Sequence, residues 1–222
     1  MELFTYFKNI ATIFKKNGFN LFMIGGTSRD YLLKVPSFDY DFVSDATPSE
    51  MSTFLPNLEM AFAKFGTVFF KDEGRKIEIT TLRKEGEYKD FRHPTNIVFV
   101  KDIKDDYLRR DFTINAIYID MNGKIHDFAN GLDDLKKKII RTIGDSCVRF
   151  KEDPLRILRA LRFAIQLDFT LAPELKEAIK KEAHLVDELN PFKVEVEVKR
   201  MKEIDKEKTK ILLEEFNLGS YF

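Results

Sequence analysis

Between Leu3 and Lys16 the apolar side chains fall at Leu3, Phe4, Phe7, Ile10, Ala11 and Phe14, a spacing that lines one face of a helix. Asn17-Gly18 ends it. Phe19 to Ile24 is a short apolar run stopped by Gly25-Gly26, and Ser28 to Lys34 resumes a helical pattern, which predicts strand, glycine turn, helix. From Asp39 to Val43 acidic and apolar residues alternate, as on a strand with one wet and one buried face, so Asp39 and Asp41 share a side.

Pro48 to Leu55 predicts another helix, and Thr67 to Lys71 and Lys76 to Leu82 predict paired strands. Glu85 to Asn96 is polar, contains Gly and Pro, and reads as a mobile loop. After Ile97 to Val100, the stretch Arg110 to Ala116 leads into a strand at Ile117 to Asp120, and Asn122-Gly123 is a hairpin turn into Ile125 to Phe128. Beyond about Phe150 the strand signals fade. Asp153-Pro154 opens an amphipathic helix running to Gln166, with Asp at the N-cap and Pro at the first position. Pro173 to Leu189 predicts a second helix and Val198 to Phe216 a third, with the charge-rich stretch from Lys193 to Lys210 as solvated helix surface. The expected architecture is a mixed α/β head over residues 1–145 followed by an all-helical neck over residues 146–222.

Composition narrows the class. With 222 residues, 44% hydrophobic and 33% charged, the chain can bury a core as one domain or two and lacks the apolar poverty of disordered chains. No apolar run approaches the ~20 residues a membrane helix needs, and Glu2, Lys8 and Asn9 interrupt the amino end, so neither a span nor a signal peptide is expected. A single cysteine, Cys147, and three His exclude an internal disulfide framework and a Cys/His zinc site, and suit a cytoplasmic setting. The 37 basic and 37 acidic residues cancel, which leaves nucleic acid open as a partner, because a local basic stripe can coexist with an acidic metal site.

Asp39 and Asp41, two apart on a strand, present two hard oxygen ligands to one spot, the way a protein collects Mg2+ or Mn2+. Surface strands also carry such pairs. Just upstream, Gly25-Gly26-Thr27-Ser28-Arg29-Asp30 offers glycines that let backbone N–H groups approach a phosphate, a helix with its positive end, and a guanidinium. A plain strand-to-helix turn with a surface Arg is the alternative; with the carboxylates the pattern describes a triphosphate beside a metal. Arg156, Arg159 and Arg162 recur every three residues and line roughly one helical face, as a ligand-facing row or a solvated basic stripe. Glu78 alternates with Ile77 and Ile79 and points away from the apolar face, as a third carboxylate at the metal or an exposed strand residue. Asp111 is the other candidate for that third place, or a partner that orients Arg110.

Gly25 to Leu33 (GGTSRDYLL) followed by Phe38 to Phe42 (FDYDF) resembles the first motif of the class II tRNA nucleotidyltransferase and bacterial poly(A) polymerase family, in the polymerase β superfamily. Leu108 to Ala116 (LRRDFTINA) resembles its second motif, and Glu152 to Phe163 (EDPLRILRALRF) its nucleotide-selecting one. The resemblance covers residues 19 to 170, with Leu189 to Lys193 faintly similar to the next helical motif. It implies a polymerase β-like mixed sheet with helices and template-independent addition of CMP and AMP from CTP and ATP to the 3′ end of tRNA, releasing pyrophosphate. Asp39 and Asp41 would hold the metals, with Glu78 as a further catalytic carboxylate. Gly25, Gly26, Arg29, Arg110, Asp111 and Asn115 would face the incoming nucleotide. Asp153 and Arg156 would read the Watson–Crick edge of CTP or ATP, assisted by Arg159 and Arg162; N-capping alone is the other reading of Asp153. Glu85 to Asn96 matches a flexible family loop tied to the switch from C to A addition.

The resemblance spans poly(A) polymerases and partial CC- or A-adding enzymes as well, and a regulatory module that binds nucleotide without turnover is the alternative of another class. Retention of both Asp39 and Asp41 speaks against that module. Family members are usually longer, with helical domains that grip the tRNA body, so the expectation is either a shortened chain or RNA contacts supplied by a homodimer or partner chain.

Overall fold

The computed structural model describes residues 3–37, 39–72, 74–86 and 96–222. They form two compact units, the first from the described residues within 3–85, 96–110 and 114–132, the second from residues 86, 111–113 and 133–222.

The first unit runs α1 (Leu3–Lys16), β1 (Leu21–Met23), α2 (Gly25–Leu33), β2 (Tyr40–Ser44), α3 (Pro48–Met51), β3 (Thr67–Asp72), β4 (Arg75–Thr81), β5 (Arg83–Glu85), β6 (Ile97–Phe99), α4 (Ile103–Asp106), β7 (Ile117–Ile119) and β8 (Ile125–Asp127). Among the described residues six strands make one mixed sheet in the order β3-β4-β2-β1-β7-β8. The β2–β4 pair is parallel and the other neighbours antiparallel. The apolar stripe of α1 supplies Phe7 and Phe14 to a core with Met23, Phe42, Ile77 and Ile79, all buried. Full burial of such a side chain stabilises by roughly 1.5–3 kcal/mol.

Several expectations shift here. The glycine turn is tighter than expected: Gly25 turns the chain at φ +65° and is already the first residue within the bounds of α2. β2 has no open wet face: it lies inside the sheet between β1 and β4, and Tyr40, Phe42, Val43 and Ser44 are buried while Asp41 is half-buried. The helix expected from Pro48 to Leu55 is the single turn of α3, held by a capping box in which Thr47 and Glu50 satisfy each other's backbone N–H. The loop read at Glu85 to Asn96 is flanked by the β5–β6 hairpin, and its residues 87–95 lie outside the described residues.

The second unit takes up the chain within α5 (Gly131–Lys137) and continues with β9 (Ile139–Ile140), α6 (Ser146–Glu152), α7 (Leu155–Leu167), β10 (Thr170–Leu171), α8 (Pro173–Glu182), α9 (Pro191–Ile204) and α10 (Lys206–Glu215). Its continuous stretch runs from Asp133, where the sequence reading set the neck at 146–222, and it contains strand: β9 pairs in parallel with β10, which ties residues 139–140 to the segment after α7. The third expected helix is two, broken at Asp205. Its extended backbone (φ −156°, ψ 102°) ends α9, and its carboxylate accepts the N–H of Lys208 at 2.9 Å to start α10. Nor is the charged stretch there all solvated, since Glu197 of α9 is buried. Among the described residues no helix is long and apolar enough to cross a membrane.

Phe42 sits beside Asp41 with its ring centroid 5.2 Å from that of Phe7. Phe42→Ala is expected to cost about 3–5 kcal/mol, read as a lower urea midpoint by circular dichroism.

Candidate active site

The site in the first unit is built around the backbone of β2. Ile24 is extended (φ −151°, ψ 172°), and Gly25 then turns to φ +65°, a left-handed conformation that favours glycine. A Cβ on Gly25 would lie 3.3 Å from Asp41 Oδ2, and one on Gly26 would lie 3.8 Å from it, so the paired glycines keep room at that carboxylate. The Gly26 N–H donates to the Asp41 carboxylate. Thr27, fully buried, is the clamp: its Oγ1 accepts the Asp41 N–H at 2.7 Å and donates to the Asp39 carbonyl at 3.3 Å. Ile24 N–H closes the grip on the Asp41 carbonyl at 3.2 Å.

Asp39 is exposed and Asp41 half-buried. Burial, and then the charge of Asp39, push the Asp41 carboxyl above the usual range, although Arg110, Arg29 and the Gly26 N–H pull the other way. Glu78 is in register with Asp41 across the parallel β2–β4 pair, and burial followed by the charge of Asp41 raises its carboxyl too. Among the described residues no three His, Cys, Asp or Glu side chains are grouped to hold a metal ion.

Two guanidiniums accompany the carboxylates. Arg29, 3% exposed, donates from Nε to Asp30 Oδ1 and from Nη1 to Asn115 Oδ1, both at 2.9 Å. Arg110 donates to Asp106 Oδ2 from Nε at 3.0 Å and from Nη2 at 2.8 Å, and from Nε to the Tyr118 hydroxyl at 2.9 Å. Burial opposes ionisation of both partners, yet each charge overrides it: Asp106 is held far below the usual carboxylate range by Arg110 and Arg109, and Arg110 is pushed up by Asp106.

The remaining named residues lie in the second unit. Arg159 donates to Asp111 Oδ2 from Nε at 2.9 Å and Nη2 at 2.5 Å. Arg156 donates from Nη1 to the Arg149 carbonyl at 2.9 Å and to Glu152 Oε2 at 2.7 Å, and Arg149 Nη1 meets the same Glu152 oxygen at 2.5 Å. Arg162 donates from Nε to Glu197 Oε2 at 2.6 Å. The row is therefore not a solvated basic stripe: each guanidinium is bonded to a carboxylate, Arg156 sharing Glu152 with Arg149 and Arg162 sharing Glu197 with Arg200. Asp153 ends α6, and its Oδ1 accepts the Leu155 N–H at 3.1 Å, so it does cap, one residue outside the helix that was expected to begin on it. In these bonds the partner of Asp111 is Arg159.

Residues the sequence reading passed over complete the picture: Thr27, Asp106, Tyr118, Glu152 and Glu197. Two carried a signal, because Asp106–Arg110 and Glu152–Arg156 are acid-before-base pairs four apart. Thr27 and Tyr118 carried none, since what they bind is distant in sequence or set by the turn.

Residues 21–141 match the family model of the poly(A) polymerase head domain. The chain is 38% identical over 200 residues to the CCA-adding enzyme of Bacillus pumilus and 41% identical over 200 residues to that of Staphylococcus haemolyticus, in each case covering 90% of this chain and 50% of the relative. Its fold is similar to the crystal structure of the Bacillus stearothermophilus CCA-adding enzyme in complex with CTP, with a TM-score of 0.87 and 32% identity over 100% of this chain and 54% of that one. It is also similar to the Thermotoga maritima CCA-adding enzyme complexed with tRNA, with a TM-score of 0.77 and 27% identity over 98% of this chain and 51% of that one. The chain spans about half the length of the curated relatives it matches.

The Asp111–Arg159 pair carries a pH signature. Burial raises Asp111, but the Arg159 guanidinium outweighs it and brings the carboxyl down to about 2. A depressed carboxyl stabilises the fold above its unfolded pKa of about 3.9 and loses that contribution as pH falls through the folded value. Acid titration followed by near-ultraviolet circular dichroism is expected to show destabilisation of roughly 2 kcal/mol from this group between about pH 4 and pH 2; in Asp111→Asn that component is absent.

Proposed function

We propose that this chain, which belongs to the poly(A) polymerase head domain family, transfers CMP and AMP from CTP and ATP to the 3′ end of tRNA without a template, releasing pyrophosphate. The observation that carries this reading is the Asp39–Asp41 pair, gripped through Thr27 and accompanied by Arg29 and Arg110. The similarity to CCA-adding enzymes, solved with CTP and with tRNA, supports the choice of substrates. A cytoplasmic setting fits such a substrate.

The carboxylate pair suits a divalent cation. Two acids are held side by side although the charge of one hinders ionisation of the other, and glycine keeps side-chain atoms away from Asp41 Oδ2. We assign Asp39 and Asp41 as the residues that would hold Mg2+ or Mn2+, and Glu78 as a catalytic carboxylate beside them. When bound, the metal supplies positive charge to the reacting phosphate oxygens.

The chain's own part is positioning and charge. The RNA 3′-hydroxyl oxygen forms a bond to the α-phosphorus as its proton is given up to solvent, the bond from that phosphorus to the bridging oxygen breaks, and pyrophosphate leaves. Arg29 and Arg110 oppose the negative charge of the triphosphate, and Gly25 and Gly26 let it approach the backbone. Asn115 fixes Arg29. In the second unit Asp153 and Arg156 read the base edge by accepting and donating hydrogen bonds; Glu152 and the Arg149 carbonyl set the plane of Arg156. Asp111 orients Arg159, which with Arg162 assists binding.

Incubation with Mg2+, labelled CTP and ATP, and a tRNA ending at the discriminator base is expected to give stepwise growth by two C and one A on a sequencing gel. Asp39→Ala and Asp41→Ala are each expected to slow incorporation at least about a thousandfold, roughly 4 kcal/mol of barrier. C-only, A-only or long A products would replace CCA addition with the corresponding partial or poly(A) activity. Nucleotide binding with no incorporation would make the chain a regulatory module.

A further inference from the structure

We propose that Asp106 is a positioning residue that holds the Arg110 guanidinium in its working orientation, with the Tyr118 hydroxyl as the lock between them. The inference rests on the reading of Arg110 as nucleotide-facing. Asp106 is 0% exposed and receives five donors. Its Oδ1 takes the Arg83 backbone N–H at 3.0 Å and Arg109 Nε at 2.7 Å. Its Oδ2 takes Arg110 Nε and Nη2 and the Tyr118 hydroxyl, the last at 2.7 Å. A carboxylate has about four lone-pair sites, so this one is saturated.

The division of labour between the two oxygens points to positioning rather than simple ion pairing. Oδ1 serves the scaffold: Arg83 and Arg109 are also tied to Glu85, Arg83 by Nη2 at 2.6 Å and Arg109 by Nη1 at 3.5 Å, which fastens Asp106 to the base of the β5–β6 hairpin. Oδ2 serves Arg110. There the phenol closes a triangle, donating to Asp106 while accepting from Arg110 Nε, and the Arg110 Cζ lies 5.2 Å from the centre of the Tyr118 ring. Two carboxylate bonds and one phenol bond fix the plane of the guanidinium, and its charge is felt at Asp41. Fixing a guanidinium in advance removes the ordering it would otherwise undergo when substrate binds. Tyr118 is fully buried in an apolar setting with Ile24 and Val43, so its hydroxyl can be removed without opening the packing.

The test is a double-mutant cycle on the whole chain, with the KM for CTP and kcat measured for wild type, Tyr118→Phe, Asp106→Asn, Arg110→Lys and the two doubles that contain Arg110→Lys. Tyr118→Phe is expected to keep the wild-type circular dichroism spectrum and raise KM about tenfold, the loss of one charge-assisted hydrogen bond. Asp106→Asn should raise it further. Each double is expected to match Arg110→Lys alone, because a residue that acts through Arg110 has nothing left to position. Penalties that add across the cycle, or a Tyr118→Phe enzyme with wild-type KM, would overturn the proposal. Should Asp106→Asn fail to fold, the Tyr118 arm decides. A wild-type chain that neither binds CTP nor incorporates it overturns the functional reading, and this inference falls with it; an active wild type with an additive cycle sinks this inference alone.

Discussion

Two carboxylates held side by side repel each other, and the arrangement of the first unit follows from having to hold them there. Asp41 is half-buried next to Asp39, with its carboxyl raised by that burial and by its neighbour's charge. Left to local preferences, the strand could relax by rotating or sliding. It cannot, because β2 is paired on both edges, in parallel with β4 and antiparallel with β1, and because Thr27 binds the backbone on both sides of Tyr40. The glycines of α2 are then a spatial necessity, since a Cβ at Gly25 would lie 3.3 Å from Asp41 Oδ2. The repulsion is thus maintained by the sheet and the clamp, and it is relieved only partly by Arg29 and Arg110.

The same economy governs the guanidiniums of both units. Each arginine named at the site is bonded to an acid or an amide within its own unit: Arg29 to Asp30 and Asn115, Arg110 to Asp106, Arg156 to Glu152, Arg159 to Asp111, Arg162 to Glu197. Burial of an unpaired guanidinium would cost several kcal/mol, so partners are needed for folding alone. They also fix direction, because a planar fork bound on one side presents its other edge at a set angle. A formal charge of zero over the whole chain conceals this, as 37 acids and 37 bases can be spread at random or matched locally.

How much could be read beforehand divides along physical lines. Elements with a long apolar period were legible: α1 has the expected bounds, and the β3–β4 and β7–β8 hairpins stand where the alternation and Asn122-Gly123 put them. β9, β10 and α4 were not: two to four residues carry no period, and no hairpin signal marks them as Asn122-Gly123 marks the equally short β7 and β8. The break at Asp205 lies inside a charge-rich stretch with no Gly or Pro to mark it. Of the site, the D-x-D pair, the glycines and the arginines announced themselves by residue type. Their partners did not, except where an acid stood one helical turn ahead of its base. Thr27 and Tyr118 are ordinary residues whose importance lies wholly in tertiary placement.

Asp153, proposed above as a base reader, has the local bonds of a cap. Its backbone N–H ends α6 on the Arg149 carbonyl, and its Oδ1 accepts the Leu155 N–H, so both local duties fall on the backbone and one carboxylate oxygen. A carboxylate has two oxygens and more lone pairs than one such bond consumes. An aspartate is therefore a better choice than serine at this position if the side chain must both start a helix and accept from a base: serine would cap equally well but has a single oxygen. The adjoining Glu152 holds Arg156 by the same logic, leaving an acceptor and a donor group at fixed places one turn apart on the chain. A base-reading pair placed here, as proposed, takes its position from the bonds that end α6 and start α7.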